Sequence, residues 1–159
     1  MWSLDYVLCA SIDIGETFSS YGYSYSHSPN EVKINENWGV NLGRWNNKAP
    51  TAVLVDDKRN FVAFGYTAVE KLKQMDTDTA KKYLYFERFK MKLFSSTVSG
   101  YFIGNHCMVL KSLFSQSLSL QTKVRATNGE QMALFYVLAK SIEYLKDHLL
   151  KMVNKTRVE

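Results

Sequence analysis

Residues 11–26, SIDIGETFSSYGYSYS, end an apolar run on an aspartate, break at Gly15, and continue into tyrosines that alternate with small residues. Upstream of the break, Leu8, Ala10, Ile12 and Ile14 share one strand face, and Val7, Cys9, Ser11 and Asp13 share the other. Both faces carry apolar residues, so the pattern predicts a strand from Tyr6 to Ile14 that is mostly buried on each side. Downstream, Tyr21, Tyr23 and Tyr25 fall on one side, and Phe18, Ser20, Gly22 and Ser24 on the other, which predicts a second strand over Thr17–Ser26. Two strands joined at a glycine form a hairpin, and its turn contains a carboxylate, a glycine and a hydroxyl.

Further along, SHSPNE predicts a turn and VKINENW a third antiparallel strand, followed by a polar loop in GVNLGRWNNKAP. TAVLVDD and NFVAFGY flank DKRN and predict a second hairpin. Helical spacing begins near Thr67, where Ala68, Leu72 and Met75 line one side, and Asp76 and Asp78 are suited to cap a second helical segment. That further helix is expected over Thr79–Phe89. Residues 91–121 are serine-rich and show no clean period. In KVRATNGEQMA, Asn128-Gly129 fits a tight hairpin, or Asn128 a helix cap with Gln131 three residues on. A terminal helix is expected with Leu134, Leu138, Ile142, Leu145, Leu149 and Met152 on its buried stripe. The fold class is therefore mixed α/β, with antiparallel hairpins followed by helices and a long C-terminal helix.

The length of 159 residues and a hydrophobic content of 46% suffice for one domain with a core. The charge of +5 is spread, because basic residues interleave with acidic ones in EVKINE and YLKDHLLK. A solvated mixed surface is the expectation, with no nucleic-acid partner. Cys9 and Cys107 stand far apart without metal or disulfide spacing, and are expected as reduced core thiols. His27, His106 and His148 share no spacing with one another or with the cysteines, so no metal site is expected from them. Trp2, Trp38 and Trp45 and the tyrosines suit core packing better than base stacking. The start of the chain lacks the pattern of a secretory signal, and no run reaches membrane-spanning length. A cytoplasmic protein, or a nuclear one, is expected, without a membrane partner.

The opening turn carries the chemistry. A carboxylate at the end of a buried strand is costly unless paired, and a cation is one such partner for Asp13. Gly15 permits a backbone other residues resist, amide hydrogens around such a turn can face an anion, and Thr17 adds a hydroxyl. Asp13, Gly15 and Thr17 thus suit a phosphate loop, and equally a polar turn in which Asp13 bonds local amides.

The order of segments ASIDIGETFSSYGYSY, KAPTAVL, NFVAFGYTAVEKL, YLYFERFKMKLF and ATNGEQMALFYVLAKSIEYLKDHLL resembles the opening of the actin-like ATPase domain of the heat-shock 70 kDa superfamily, in its divergent protein 12 branch. The resemblance implies an RNase H-like first lobe spanning residues 1–159, with ATP and Mg as cofactors. It places Asp13 near the water shell of the metal and the backbone of Gly15, Glu16, Thr17 and Phe18 against the phosphates. It also implies a catalytic lysine, for which Lys90 is the candidate, with Lys92 and Arg88 as neighbours in alternative registers. A solvated basic helix end explains the same residues.

Two departures from the family pattern bear on activity. DIGET replaces DIGTT, which puts Glu16 in a loop meant for polyphosphate; two like charges at ~4 Å repel by about 4 kcal/mol at an effective dielectric of 20. The family also continues into a second phosphate loop, an adenosine pocket and a second lobe, which are expected to be missing here. These features leave two functions: an ATP-binding lobe of a chaperone relative, truncated and hydrolytically weak or inactive alone, or a non-catalytic interaction module with a protein partner or self-association. Glycolytic-type kinases share the superfold and form a third class.

Overall fold

The structure is a computed structural model, and it describes residues 7–40, 43, 46–91 and 122–156. Strand β1 (Leu8–Ile14) pairs antiparallel with β2 (Phe18–Tyr25), Ile14 opposite Ser19 and Leu8 opposite Tyr25. β3 (Ser28–Ile34) continues the sheet beyond β2, and β4 (Ala49–Pro50) pairs the start of β2. The third strand therefore begins earlier than its pattern predicts, directly after Ser26-His27, and Asn35–Trp38 lie outside it.

A second sheet has β5 (Ala52–Val55) between β6 (Phe61–Phe64) and β7 (Leu84–Glu87), antiparallel to both. All four residues of β5 are buried, because alternate side chains enter different cores. Val53 and Val55 join Phe64, Leu84 and Phe86 in the main core. Ala52 and Leu54 pack with Ala63, Tyr85 and Ala68 beneath helix α1 (Gly65–Gln74). Gly65 opens that helix at φ +65°, where a Cβ would stand 3.1 Å from that of Ala49.

Residues 79–89 do not form the expected helix. A single turn, α2 (Thr77–Ala80), is capped by the Asp76 carboxylate, which accepts from the amides of Asp78 and Thr79. The chain then turns and becomes β7. Its run of Leu84, Tyr85 and Phe86 gains backbone partners on β5 and buries side chains on both sides, and a helix would leave that edge of β5 without β7.

The Asn-Gly pair forms the turn of a hairpin between β8 (Lys123–Arg125) and β9 (Gln131–Ala133), with Gly129 at φ +91°. Asn128 Nδ2 donates to the carbonyls of Lys81 and Tyr83, and the Thr127 amide donates to Tyr85, so this hairpin is fastened to β7.

Helix α3 (Leu134–Thr156) packs on β1 and β2. Its buried line runs through Leu134, Val137, Ser141, Leu145, Leu149 and Val153. The expected stripe is thus rotated: Ile142 is 41% exposed, and Leu138 and Met152 are only partly buried. The small Ser141 occupies the line because its hydroxyl bonds the Val137 carbonyl at 2.8 Å, which leaves no polar group unpaired against the sheet.

β1 departs from expectation too. Leu8, Ile12 and Ile14 pack against the core, but Cys9, Ser11 and Asp13 are exposed, and β1 forms an edge of its sheet among the described residues. Cys9 is therefore a surface thiol, and Asp13 is not a buried carboxylate. Cys107, His106, Trp2, Trp45 and Lys92 lie outside the described residues, as does the serine-rich stretch after Met91. Among the described residues, no helix is long and apolar enough to cross a membrane. The described elements are thus mixed α/β with antiparallel sheets and a C-terminal helix, compatible with part of an actin-like fold.

Candidate functional site

The turn between β1 and β2 consists of Gly15, Glu16 and Thr17, closed by the Gly15 amide donating to the Phe18 carbonyl at 3.1 Å. Glycine is required here by close approach rather than by dihedral angle: a Cβ on residue 15 would stand 2.3 Å from that carbonyl oxygen. One amide expected to face an anion is therefore already used within the turn. Among the described residues, the amides of Glu16 and Thr17 form no hydrogen bond.

Two contacts from later in the chain hold the turn. The Thr51 amide donates to the Thr17 carbonyl at 2.8 Å, and the buried Ser19 and Thr51 hydroxyls share a 2.7 Å bond. Thr51 precedes β5, so the loop is tied to the best-buried strand of the molecule. From the end of β7, Phe89 is buried in the core, and Lys90 Nζ reaches back to the Ile14 carbonyl at 2.5 Å. Arg88 is exposed with φ +50°.

The carboxylates differ sharply. Asp13 is exposed and faces Lys48 at 3.9 Å, a surface pair that contributes little. Both Glu16 carboxylate oxygens are shut off from solvent and have no hydrogen-bond partner among the described residues. A buried polar group in that state is costly, and a cation or a donor supplied from outside would relieve it. Lys48, Ser19 and Thr51 carry no motif that sequence alone could single out; Lys48 stands in KAPTAVL, where only its neighbourhood gave a signal.

A second polar cluster lies where α3 meets the tyrosine face of β2. Tyr21 Oη bonds His148 Nδ1 at 2.8 Å, and the His148 ring stacks on Trp38 with centroids 4.5 Å apart. Burial raises the Tyr21 phenol far above its usual range, so it keeps its proton. Burial, helped by Lys151, lowers His148 from its ordinary 6.5. An unfolded chain then takes up this proton at higher pH than the folded one. Stability is expected to fall as pH drops below about 6.5 and to level off beneath the folded-state value. Denaturant unfolding between about pH 7 and pH 5 checks this, and His148→Gln should flatten the slope in that window.

No family model matches the chain, and no solved structure matches it significantly. Curated proteins do match. Heat shock 70 kDa protein 12A of Mus musculus is 30% identical over 147 residues, which is 92% of this chain and 19% of the relative. Heat shock 70 kDa protein 12B of Homo sapiens is 31% identical over 142 residues, 89% of this chain and 18% of the relative. The chain is a relative of heat shock 70 kDa proteins 12A and 12B. It spans about a fifth of the length of these heat shock 70 kDa protein 12 relatives. Among the described residues, no three His, Cys, Asp or Glu side chains cluster as a metal site.

Proposed function

We propose that this chain is the nucleotide-contacting first lobe of a protein 12-like chaperone relative, with an RNase H-like, actin-like ATPase fold over residues 1–159. The observation that carries the reading is the turn itself: the Glu16 and Thr17 amides have no partner within the described chain, next to a lysine drawn in from the end of β7. In this reading those amides and the Gly15–Phe18 backbone meet the polyphosphate of ATP, and the Thr17 hydroxyl donates to it. Lys90 leaves the Ile14 carbonyl to reach the terminal phosphate and orient water.

The unpaired Glu16 and the exposed Asp13 fit a divalent cation better than a bare anion. Bound Mg would neutralise polyphosphate charge, with Asp13 holding it through water and Glu16 facing the same charge. Without it, Glu16 opposes the triphosphate, and hydrolysis is weak or absent. A cytoplasmic or nuclear location suits this reading.

Backbone amide shifts of the isotope-labelled chain test it. ATP with Mg should move the Glu16 and Thr17 amides with roughly millimolar affinity, about −4 kcal/mol. Glu16→Thr should tighten binding of ATP without Mg by about 1–3 kcal/mol, the Coulomb term after screening. Asp13→Ala should weaken binding of ATP with Mg by loosening the hold on the metal.

A second reading is favoured by the sheet. β1 is an edge, and Val7, Phe18, Val32 and Ile34 are exposed apolar residues. Such a surface suits a protein partner or self-association. If ATP leaves the turn amides unmoved and Glu16→Thr, Asp13→Ala and Thr17→Val are all silent, this interaction module replaces the nucleotide reading.

A further inference from the structure

A cleft of about 410 Å³ opens between the segment at 37–40, α1 and α3, and shares no residue with the turn at 13–18 or with Lys90. That volume is within the range of small-molecule sites. Trp38, Phe64, Tyr144 and His148 line it, and the first two are buried. Its edge is fixed in place before anything binds. Trp38 and Asn46 form an isolated β-bridge, and Asn46 Nδ2 donates to Tyr66 Oη at 2.9 Å. Gly39, at φ +80°, leaves the space in which the Tyr66 ring packs, 3.0 Å from where a Cβ would sit.

Two donors on the aromatic wall bear on what the cleft can take. Trp38 is 6% exposed, and its Nε1 has no partner among the described residues. Natural cores rarely leave an indole N–H in this state. Tyr21 Oη bonds His148 Nδ1, and in the tautomer in which the phenol donates, the imidazole hydrogen lies on Nε2, which has no partner among the described residues. Glu70 and Lys71 at the cleft bring opposite charges, so the field favours neither sign.

We infer that this cleft is a binding site for a neutral, planar nitrogen heterocycle of one or two fused rings, whose flat face lies against the aromatic wall and whose ring nitrogen accepts from Trp38 Nε1 or His148 Nε2. The aromatic lining supplies contact area at little entropic cost, and the two unpaired donors select rings with an in-plane acceptor over plain hydrocarbons. Trp38 Nε1 is closed off from solvent. The acceptor reaches it by a small displacement of the stacked His148 ring.

Benzimidazole and indole test this, since they share size and shape and differ in the acceptor nitrogen. The isotope-labelled full chain is titrated with each at neutral pH, and the Trp38 indole N–H, assigned by through-bond and through-space correlations, is followed. Benzimidazole should shift it saturably with a midpoint at or below about 1 mM, and indole should bind about tenfold more weakly or not at all. Thr67→Trp, exposed on α1 at the cleft, should abolish benzimidazole binding and leave thermal unfolding unchanged. Absence of a saturable shift, equal affinity for the two probes, or unaltered binding by Thr67→Trp each overturns the assignment. ATP binding at the turn can fail without altering any of these outcomes.

Discussion

Replacing Phe86 with alanine should lower the unfolding free energy by about 3–5 kcal/mol, the usual cost of removing a buried aromatic ring. Phe86 is 0% exposed and stands opposite Val53 in the centre of the main core, where Phe64, Leu84 and Val55 surround that register position. β5, which pairs with β7, is itself laddered to β6, so that wall cannot collapse to fill the void. Ile142→Ala is the contrasting case. This residue is 41% exposed on α3, and its removal should change stability by about 0.5 kcal/mol or less. Urea midpoints of the two variants decide the matter. A large loss at Ile142 together with a small one at Phe86 would mean that α3 is rotated from the position described and that residues 84–86 are not a core strand.

The second large effect is local to the candidate site. Gly15→Ala would place a Cβ 2.3 Å from the Phe18 carbonyl oxygen, a backbone atom that cannot swing aside. The turn must open, and the Gly15 amide bond to Phe18 is lost with it. We expect a loss of about 2–3 kcal/mol, together with displacement of the Glu16 and Thr17 amides. Gly22→Ala is the control. Its added Cβ meets nothing closer than 3.5 Å, so it should be neutral or stabilise by up to about 1 kcal/mol through the unfolded chain. Denaturation curves and amide spectra of both variants test the pair.

Local pattern was enough for the first two hairpins, whereas at Asn128-Gly129 it left a helix cap as an alternative. Gly15, DKRN and Asn128-Gly129 each mark a turn between alternating runs, and each joins paired strands here. Tertiary context decided the rest. Residues 84–87 carry a sequence equally suited to helix or strand until β5 offers its edge, and nothing local announces that edge. The burial of β1 was overestimated for a related reason: alternating apolar residues show that two faces are eligible for burial, not that another element covers both. In α3 the small Ser141 took the buried line in place of Ile142, because fit against the sheet outweighs hydropathy.

At the site, sequence picked out Asp13, Gly15, Glu16, Thr17 and Lys90. It could not reveal the link to Thr51, which joins residues 32 apart through hydroxyls that carry no motif. Nor could it foresee that Glu16 would be closed off from solvent, because burial of one carboxylate depends on how the whole turn is folded back. The Trp38, Tyr21 and His148 cluster unites positions up to 127 residues apart, beyond the reach of any spacing rule.

The Thr51 anchor has a consequence for motion. Among the described residues β1 has a partner on one side only, and edge strands open at low free energy, whereas β5 is paired on both sides and buried on both faces. The loop at 15–17 belongs by sequence to the first of these and is fastened to the second. Fraying of β1 can therefore release Asp13, which sits on the edge strand, while Thr17 keeps its place. The two ends of one short loop answer to different cooperative units of the protein, so the carboxylate and the hydroxyl can separate and rejoin without unfolding of the core.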